Sequence, residues 1–88
     1  MTSMTTDKLV RYRMYACKAD GKWFQLCIGC ETELTYWQVE SKKRRLAEMK
    51  AGYLGGEFPI KKIKVIEDVT ECLNFEERGS SIISEETL

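Results

Sequence analysis

The alternation of apolar and polar residues near the start of the chain predicts a β-hairpin. Residues 10–17 (VRYRMYAC) and 23–28 (WFQLCI) alternate, and residues 18–22 (KADGK) between them have the composition of a turn. A three-residue loop at 19–21, with Gly21 in the left-handed region, gathers the apolar side chains on one face, whereas a two-residue loop scatters them across both. The favoured register opposes Ala16 with Phe24, Met14 with Leu26 and Tyr12 with Ile28.

A helix is predicted between residues 31 and 52, although its start has two interpretations. Thr35 and Gln38 form a capping-box pattern, and Gly52 is placed to end the helix. In the alternative, residues 34–39 form a third strand and Ser41 caps a shorter helix. The longer helix is favoured because apolar residues recur at helical spacing along it. These residues are Tyr36, Val39, Leu46, Met49 and Tyr53.

The second half of the chain predicts one more strand and then a tail. Residues 60–69 alternate, with Ile63 and Val65 on one face and Lys62 and Lys64 on the other. Beyond Cys72 the sequence becomes polar and acidic, which is typical of a mobile segment. We therefore expect an α+β fold in which a small antiparallel sheet packs on one helix in the order ββαβ. The expected divisions are a flexible N-terminus at 1–7, a single domain at 8–73 and a flexible acidic tail at 74–88.

The amino-acid composition limits the classes of function that this chain could have. The chain has 88 residues, 43% of them hydrophobic, which suits one small folded domain. It contains no His, so it lacks the commonest general base and every Ser–His or Cys–His nucleophile pair. We expect a protein that is not an enzyme. No apolar run is long enough to cross a bilayer and no signal peptide is evident, so we also expect a cytoplasmic protein without a membrane partner.

The Cys27-x-x-Cys30 pair is the sharpest motif, and it has several interpretations. Two thiolates at this spacing form half of a four-cysteine zinc site, which Cys17 and Cys72 could complete. The predicted register, however, separates Cys17 from Cys27 by about 13 Å along the hairpin, too far for ligands of one metal. The favoured interpretation is that the cysteines are structural thiols in a reducing compartment, with no cofactor.

A strand, then Cys27-x-x-Cys30, then a helix, then a loop with Pro59 ahead of another strand resembles the core of thioredoxin-like proteins. The resemblance implies redox activity, with Cys27 as a nucleophile at a helix N-terminus and Cys30 as the resolving thiol. It covers about half of the chain. In that family a βαβ crossover precedes the pair, whereas a tight hairpin precedes it here.

Charge is strongly segregated although the net charge is zero. Residues 42–64 carry eight basic side chains against two acidic ones, and residues 65–88 carry seven acidic side chains against one basic one. A continuous basic patch beside exposed aromatic rings would bind nucleic acid, which is the alternative function. Its candidate residues are Lys42, Lys43, Arg44, Arg45, Lys50, Lys61, Lys62 and Lys64.

The second face of the hairpin predicts the leading function. Arg, Tyr and Trp are enriched at the energetic centres of protein interfaces, and one helix covers only one face of a sheet. We therefore expect a non-enzymatic regulator that binds a protein partner through this face, as a monomer or a homodimer. Small size and segregated charge also give the chain the style of accessory phage proteins that inhibit a host complex. The candidate binding residues are Arg11, Arg13, Tyr15, Trp23 and Gln25.

Overall fold

The computed structural model describes residues 8–71 and 78–88, which form a four-stranded antiparallel sheet and one helix. In chain order the elements are β1 (Lys8–Lys18), β2 (Trp23–Leu26), α1 (Tyr36–Ala51), β3 (Ile60–Glu71) and β4 (Arg78–Thr87). The α+β class is confirmed. The predicted order ββαβ is incomplete, because the order is ββαββ.

The C-terminal segment is the main correction to the predicted fold. A flexible tail was expected from residue 74, but residues 78–87 form β4, which pairs with β3 from Thr70↔Arg78 to Lys62↔Thr87. The strand forms because β3 is twelve residues long and offers a full ladder of backbone groups on its free side. Leu88 then donates its N–H to the carbonyl of Lys61 and packs against the core. Residues 1–7 and 74–77 of the predicted flexible segments lie outside the described residues.

The sheet order is β2-β1-β3-β4, and the predicted hairpin register is largely confirmed. Met14 pairs with Leu26 and Ala16 with Phe24, while Gly21 has a φ of 88° in the closing loop. The third predicted pair is wrong. The chain turns away after β2, so that Ile28 bridges to Glu31 and Tyr12 pairs instead with Leu34.

Helix α1 begins with the predicted capping box. Thr35 Oγ1 accepts from the N–H of Gln38, and the Gln38 side chain accepts from the N–H of Thr35. The alternative strand at 34–39 is therefore wrong. The predicted apolar stripe is buried only at Val39 and Leu46, while Tyr36, Met49 and Tyr53 remain about half exposed. A single helix touches a flat sheet along a narrow line, so the flanking positions of the stripe stay in solvent.

The core lies between α1 and the face of the sheet that carries the even-numbered residues of β1. On this face Met14 and Ala16 of β1 are opposite Val65 and Ile63 of β3, and all four are essentially inaccessible to solvent. The segment before the helix also contributes to this core, since Leu34 is inaccessible to solvent. The cluster of buried residues comprises Met14, Ala16, Leu26, Leu34, Val39, Leu46, Ile63 and Val65.

Substituting the N-cap is expected to lower stability measurably. Replacing Thr35 with alanine removes the acceptor for the Gln38 N–H and should lower the free energy of unfolding by about 1 kcal/mol. Urea denaturation checks this value. Thr35→Ser keeps the hydroxyl and should retain most of the stability, so equal losses in both variants would contradict the capping role.

Across residues 8–71 and 78–88, no helix is both long enough and apolar enough to span a membrane.

Candidate partner-binding face

The sheet face opposite α1 is not covered by any other described element, and we call it the outer face. It carries the odd-numbered residues of β1 and the even-numbered residues at the centre of β3, because side chains alternate along a strand. The register places Arg11 opposite Asp68, Arg13 opposite Ile66 and Tyr15 opposite Lys64. One helix thus leaves half of the sheet open to solvent or to a partner.

All five residues predicted to bind a partner lie on the outer face. Arg11, Arg13 and Tyr15 follow one another along β1, and Gln25 of β2 pairs with Tyr15. Trp23, at the start of β2, is 38% exposed, Gln25 is exposed and Tyr15 is half-buried. Neither aromatic ring is sealed inside the monomer, so the face can be contacted from outside.

Arg13 is fixed in place by a two-point ion pair with Asp68 of the neighbouring strand. Its Nε and Nη2 atoms lie 2.7 and 2.9 Å from the two carboxylate oxygens of Asp68. Nη1 donates to the Tyr15 hydroxyl at 3.1 Å, and Ser80 Oγ donates to Asp68 at 2.6 Å. The hydrogen bond to Asp68 raises the pKa of Arg13 further above its ordinary value. Because both partners are part-exposed, the pair contributes orientation more than stability.

Trp23 is contacted by a lysine from β3. The Lys64 Nζ atom lies 4.3 Å from the Trp23 ring centroid and 5.8 Å from that of Tyr15. Such cation–π contacts are worth about 0.5–1 kcal/mol at exposed sites. The ammonium therefore lies close to both predicted aromatic residues and favours this arrangement of their rings. The sequence pattern assigns Lys64 to the alternative nucleic-acid patch, whereas the structure places it beside these rings.

A hollow of about 520 Å³ opens beside Tyr15 on the outer face. The chain after β2 forms its wall, since Ile28 and Glu31 close a tight turn with Gly29 at a φ of 62°. Backbone hydrogen bonds of 2.8 Å in both directions between Tyr12 and Leu34 then hold this segment against β1. The lining residues are Arg13, Tyr15, Gln25, Cys30, Glu31, Thr32 and Glu33.

The sequence pattern indicates no binding role for the acidic wall of the hollow, because its residues stand there only as the acidic start of the region 31–52 in which the helix is predicted. Glu31 and Glu33 are exposed, and neither forms an ion pair with any residue in the described ranges. The charge of Arg13 is already compensated by Asp68. The hollow therefore combines an aromatic side with uncompensated negative charge.

The Cys27 and Cys30 thiols are free and exposed at the turn that follows β2. The helix begins only after Thr35, so the placement of Cys27 at a helix N-terminus, implied by the thioredoxin-like resemblance, is wrong. Cys17 is buried in β1, and Cys72 lies outside the described residues. Within residues 8–71 and 78–88, no three His, Cys, Asp or Glu residues are grouped closely enough to hold a metal ion.

The eight basic residues of the alternative patch are divided between the two sides of the sheet. Lys42–Arg45 and Lys50 lie on α1, whereas Lys62 and Lys64 project from the outer face. Two of them form ion pairs with acidic residues in the described ranges: Lys43 lies 3.6 Å from Glu86, and Lys61 lies 3.3 Å from Glu57. A patch that is continuous over all eight residues is therefore not formed, because alternate residues of β3 face opposite ways.

Comparisons with protein-family models, curated proteins and solved structures gave no match to this chain. We therefore infer the function from the geometry of the outer face.

Proposed function

We propose that this protein is a non-enzymatic interaction module that binds another protein through its outer face. The observation that supports the proposal is that Arg13 and Trp23 share an open sheet face, where Asp68 and Lys64 respectively contact and orient them. Arginine and tryptophan side chains that are already oriented lose less conformational entropy when a partner covers them, which favours tight association. Such a module would act by occupying its partner's surface.

The hollow indicates what the partner presents. Glu31 and Glu33 line it together with Tyr15. A lysine or arginine side chain would be attracted by the carboxylates and could stack on the ring. We therefore propose a partner with a basic side chain next to an apolar patch, the basic group entering the hollow while the apolar patch covers Trp23.

A site-specific cross-linking experiment tests this proposal. A photoreactive amino acid replaces Gln25, which is exposed beside the hollow, or Glu48, which is exposed on the helix. Illumination in extracts of the native cells should link one protein to position 25 and not to position 48, at a partner segment that contains lysine or arginine. Links to that protein only from position 48 would place the contact on the helix side and contradict the proposal.

Single-stranded nucleic acid is a second candidate, supported by one observation. Lys62 and Lys64 share the outer face with Tyr15 and Trp23, and basic residues beside stacking rings suit a single-stranded ligand. The same cross-linking variants distinguish this candidate, with a labelled oligonucleotide added at low salt. Absence of any oligonucleotide linked to position 25 under these conditions would exclude it, since electrostatic binding is strongest at low ionic strength.

A further inference from the structure

The two outermost strands of the sheet differ in how well their free edges are protected. An exposed edge offers unpaired backbone groups to other chains unless the strand is short, charged or interrupted by proline. β2 is only four residues long, whereas β4 extends over ten. Residues 79–84 of β4 (GSSIIS) include no charged residue and no proline, and Ile82 and Ile83 are 59% and 49% exposed. β4 is thus a long edge with an apolar centre.

We propose that β4 pairs antiparallel with β4 of a second copy of the chain, about a two-fold axis at the midpoint of the strand. The eight strands of the two copies then form one continuous sheet. The charges favour this direction, because it places Glu85 and Glu86 of each copy beside Ser80 and Gly79 of the other strand, which carry no charge. Parallel pairing would align the same acidic residues with each other, which is unfavourable.

In this arrangement, the β4 side chains that oppose each other across the axis lie on the same face of the sheet, because the strand contains a bulge. Ser80 bonds to Asp68 on the outer face, whereas Glu86 lies near Lys43 on the helix side. In a regular strand residues six apart share a face, so the register shift opposite Val65 and Ile66 reverses the alternation. Antiparallel pairing about the midpoint consequently keeps opposed residues on one face. It opposes Ser80 with Glu85, Ser81 with Ser84 and Ile82 with Ile83 of the second copy.

Two local features agree with this register. Ile82 and Ile83 of one copy would pack against Ile83 and Ile82 of the other. The two bulges would lie opposite each other at the axis, so that neither strand has an unmatched residue there. Ser84 Oγ is buried and has no hydrogen-bond partner among the described residues. In the dimer Ser81 of the second copy stands opposite Ser84, so a rotation of the Ser84 side chain would allow the two hydroxyls to bond.

Light scattering after size-exclusion chromatography tests the proposal. The native chain should elute with twice its mass of 10.2 kDa. Replacing both Ile82→Lys and Ile83→Lys places like charges across the axis and should weaken dimerisation about a hundredfold. The double variant with Ile82→Glu and Ile83→Glu should behave alike. An equimolar mixture of the two variants should restore the dimer, because each lysine then faces a glutamate.

Leu54→Lys is the matched control, because Leu54 is 98% exposed on the loop after α1 and is not part of β4. It should leave the dimer mass unchanged, and circular dichroism should show that every variant is folded. As a second measurement on the native chain, the amides of residues 79–84 should exchange more slowly as protein concentration rises. A single-chain mass at millimolar concentration with concentration-independent exchange would overturn the proposal, as would a charge mixture that stays monomeric. Trp23→Ala should leave the dimer intact, so this inference and the proposed function fail separately.

Discussion

Replacing Met14 with alanine is expected to lower the free energy of unfolding by about 2–5 kcal/mol, the range usual for removing a large buried side chain. Met14 is inaccessible to solvent and stands at the centre of β1, with Leu26 on one side and Val65 on the other. Its removal leaves a cavity that two neighbouring strands and the helix cannot close. Because domains of this size have small stability margins, the variant should be partly unfolded at 37 °C.

Urea denaturation measures this effect, with every variant at the same protein concentration because self-association makes the apparent stability depend on concentration. Leu54→Ala is the control, since it removes a similar apolar side chain from a position that is 98% exposed. It should change the free energy of unfolding by no more than about 0.5 kcal/mol. A Met14→Ala variant as stable as the control would show that the helix does not pack on β1 as described.

The second large effect concerns binding. Trp23→Ala is expected to weaken binding to the cross-linked partner roughly thirtyfold or more, the loss typical of a tryptophan at the energetic centre of an interface. The substitution removes the ring that Lys64 contacts and that is 38% exposed on the outer face. Titration calorimetry with the purified partner measures the dissociation constant.

Trp37→Ala is the matched control for this measurement. Trp37 is 78% exposed, but it lies at the start of α1 on the other side of the sheet. Its replacement should leave the affinity unchanged. A larger loss of affinity for Trp37→Ala than for Trp23→Ala would show that the binding surface lies on the helix. Gln25→Arg provides a second test that does not depend on the stability of the Trp23 variant. It adds bulk and positive charge at an exposed position beside the hollow and should also weaken binding.

The parts of the fold that local rules determine could be predicted from the sequence. The hairpin register followed from Gly21 and from the apolar alternation on both sides of it, and the helix start followed from Thr35 and Gln38. β4 was missed because its bulge interrupts the alternation and because serine and glutamate dominate it. A strand of this composition forms because the long free edge of β3 offers hydrogen-bond partners. That cause lies in the tertiary structure and not in the local sequence.

For the candidate site, too, the sequence predicts what local rules determine and misses what depends on contacts between distant segments. Alternation along the hairpin placed Arg13, Tyr15 and Trp23 on one face, which the register confirms. Asp68 could not be assigned to Arg13, because the pairing of β1 with β3 depends on contacts between distant segments. One signal was available: Asp68 continues the two-residue spacing of Lys62 and Lys64 along the predicted strand. That spacing indicates a shared face, although only the register of β1 with β3 brings the carboxylate to the guanidinium.

The position of β1 beside β3 also governs how the chain reaches this structure. β1 and β2 are close in the sequence, as are β3 and β4, but joining the two pairs requires closure of the loop formed by residues 19–59, with a larger loss of chain entropy. Met14 and Ala16 can contact Val65 and Ile63 only after that closure. Folding must therefore cross an entropic barrier before the core exists, and until it does, both inner strand edges stay open to association with other nascent chains.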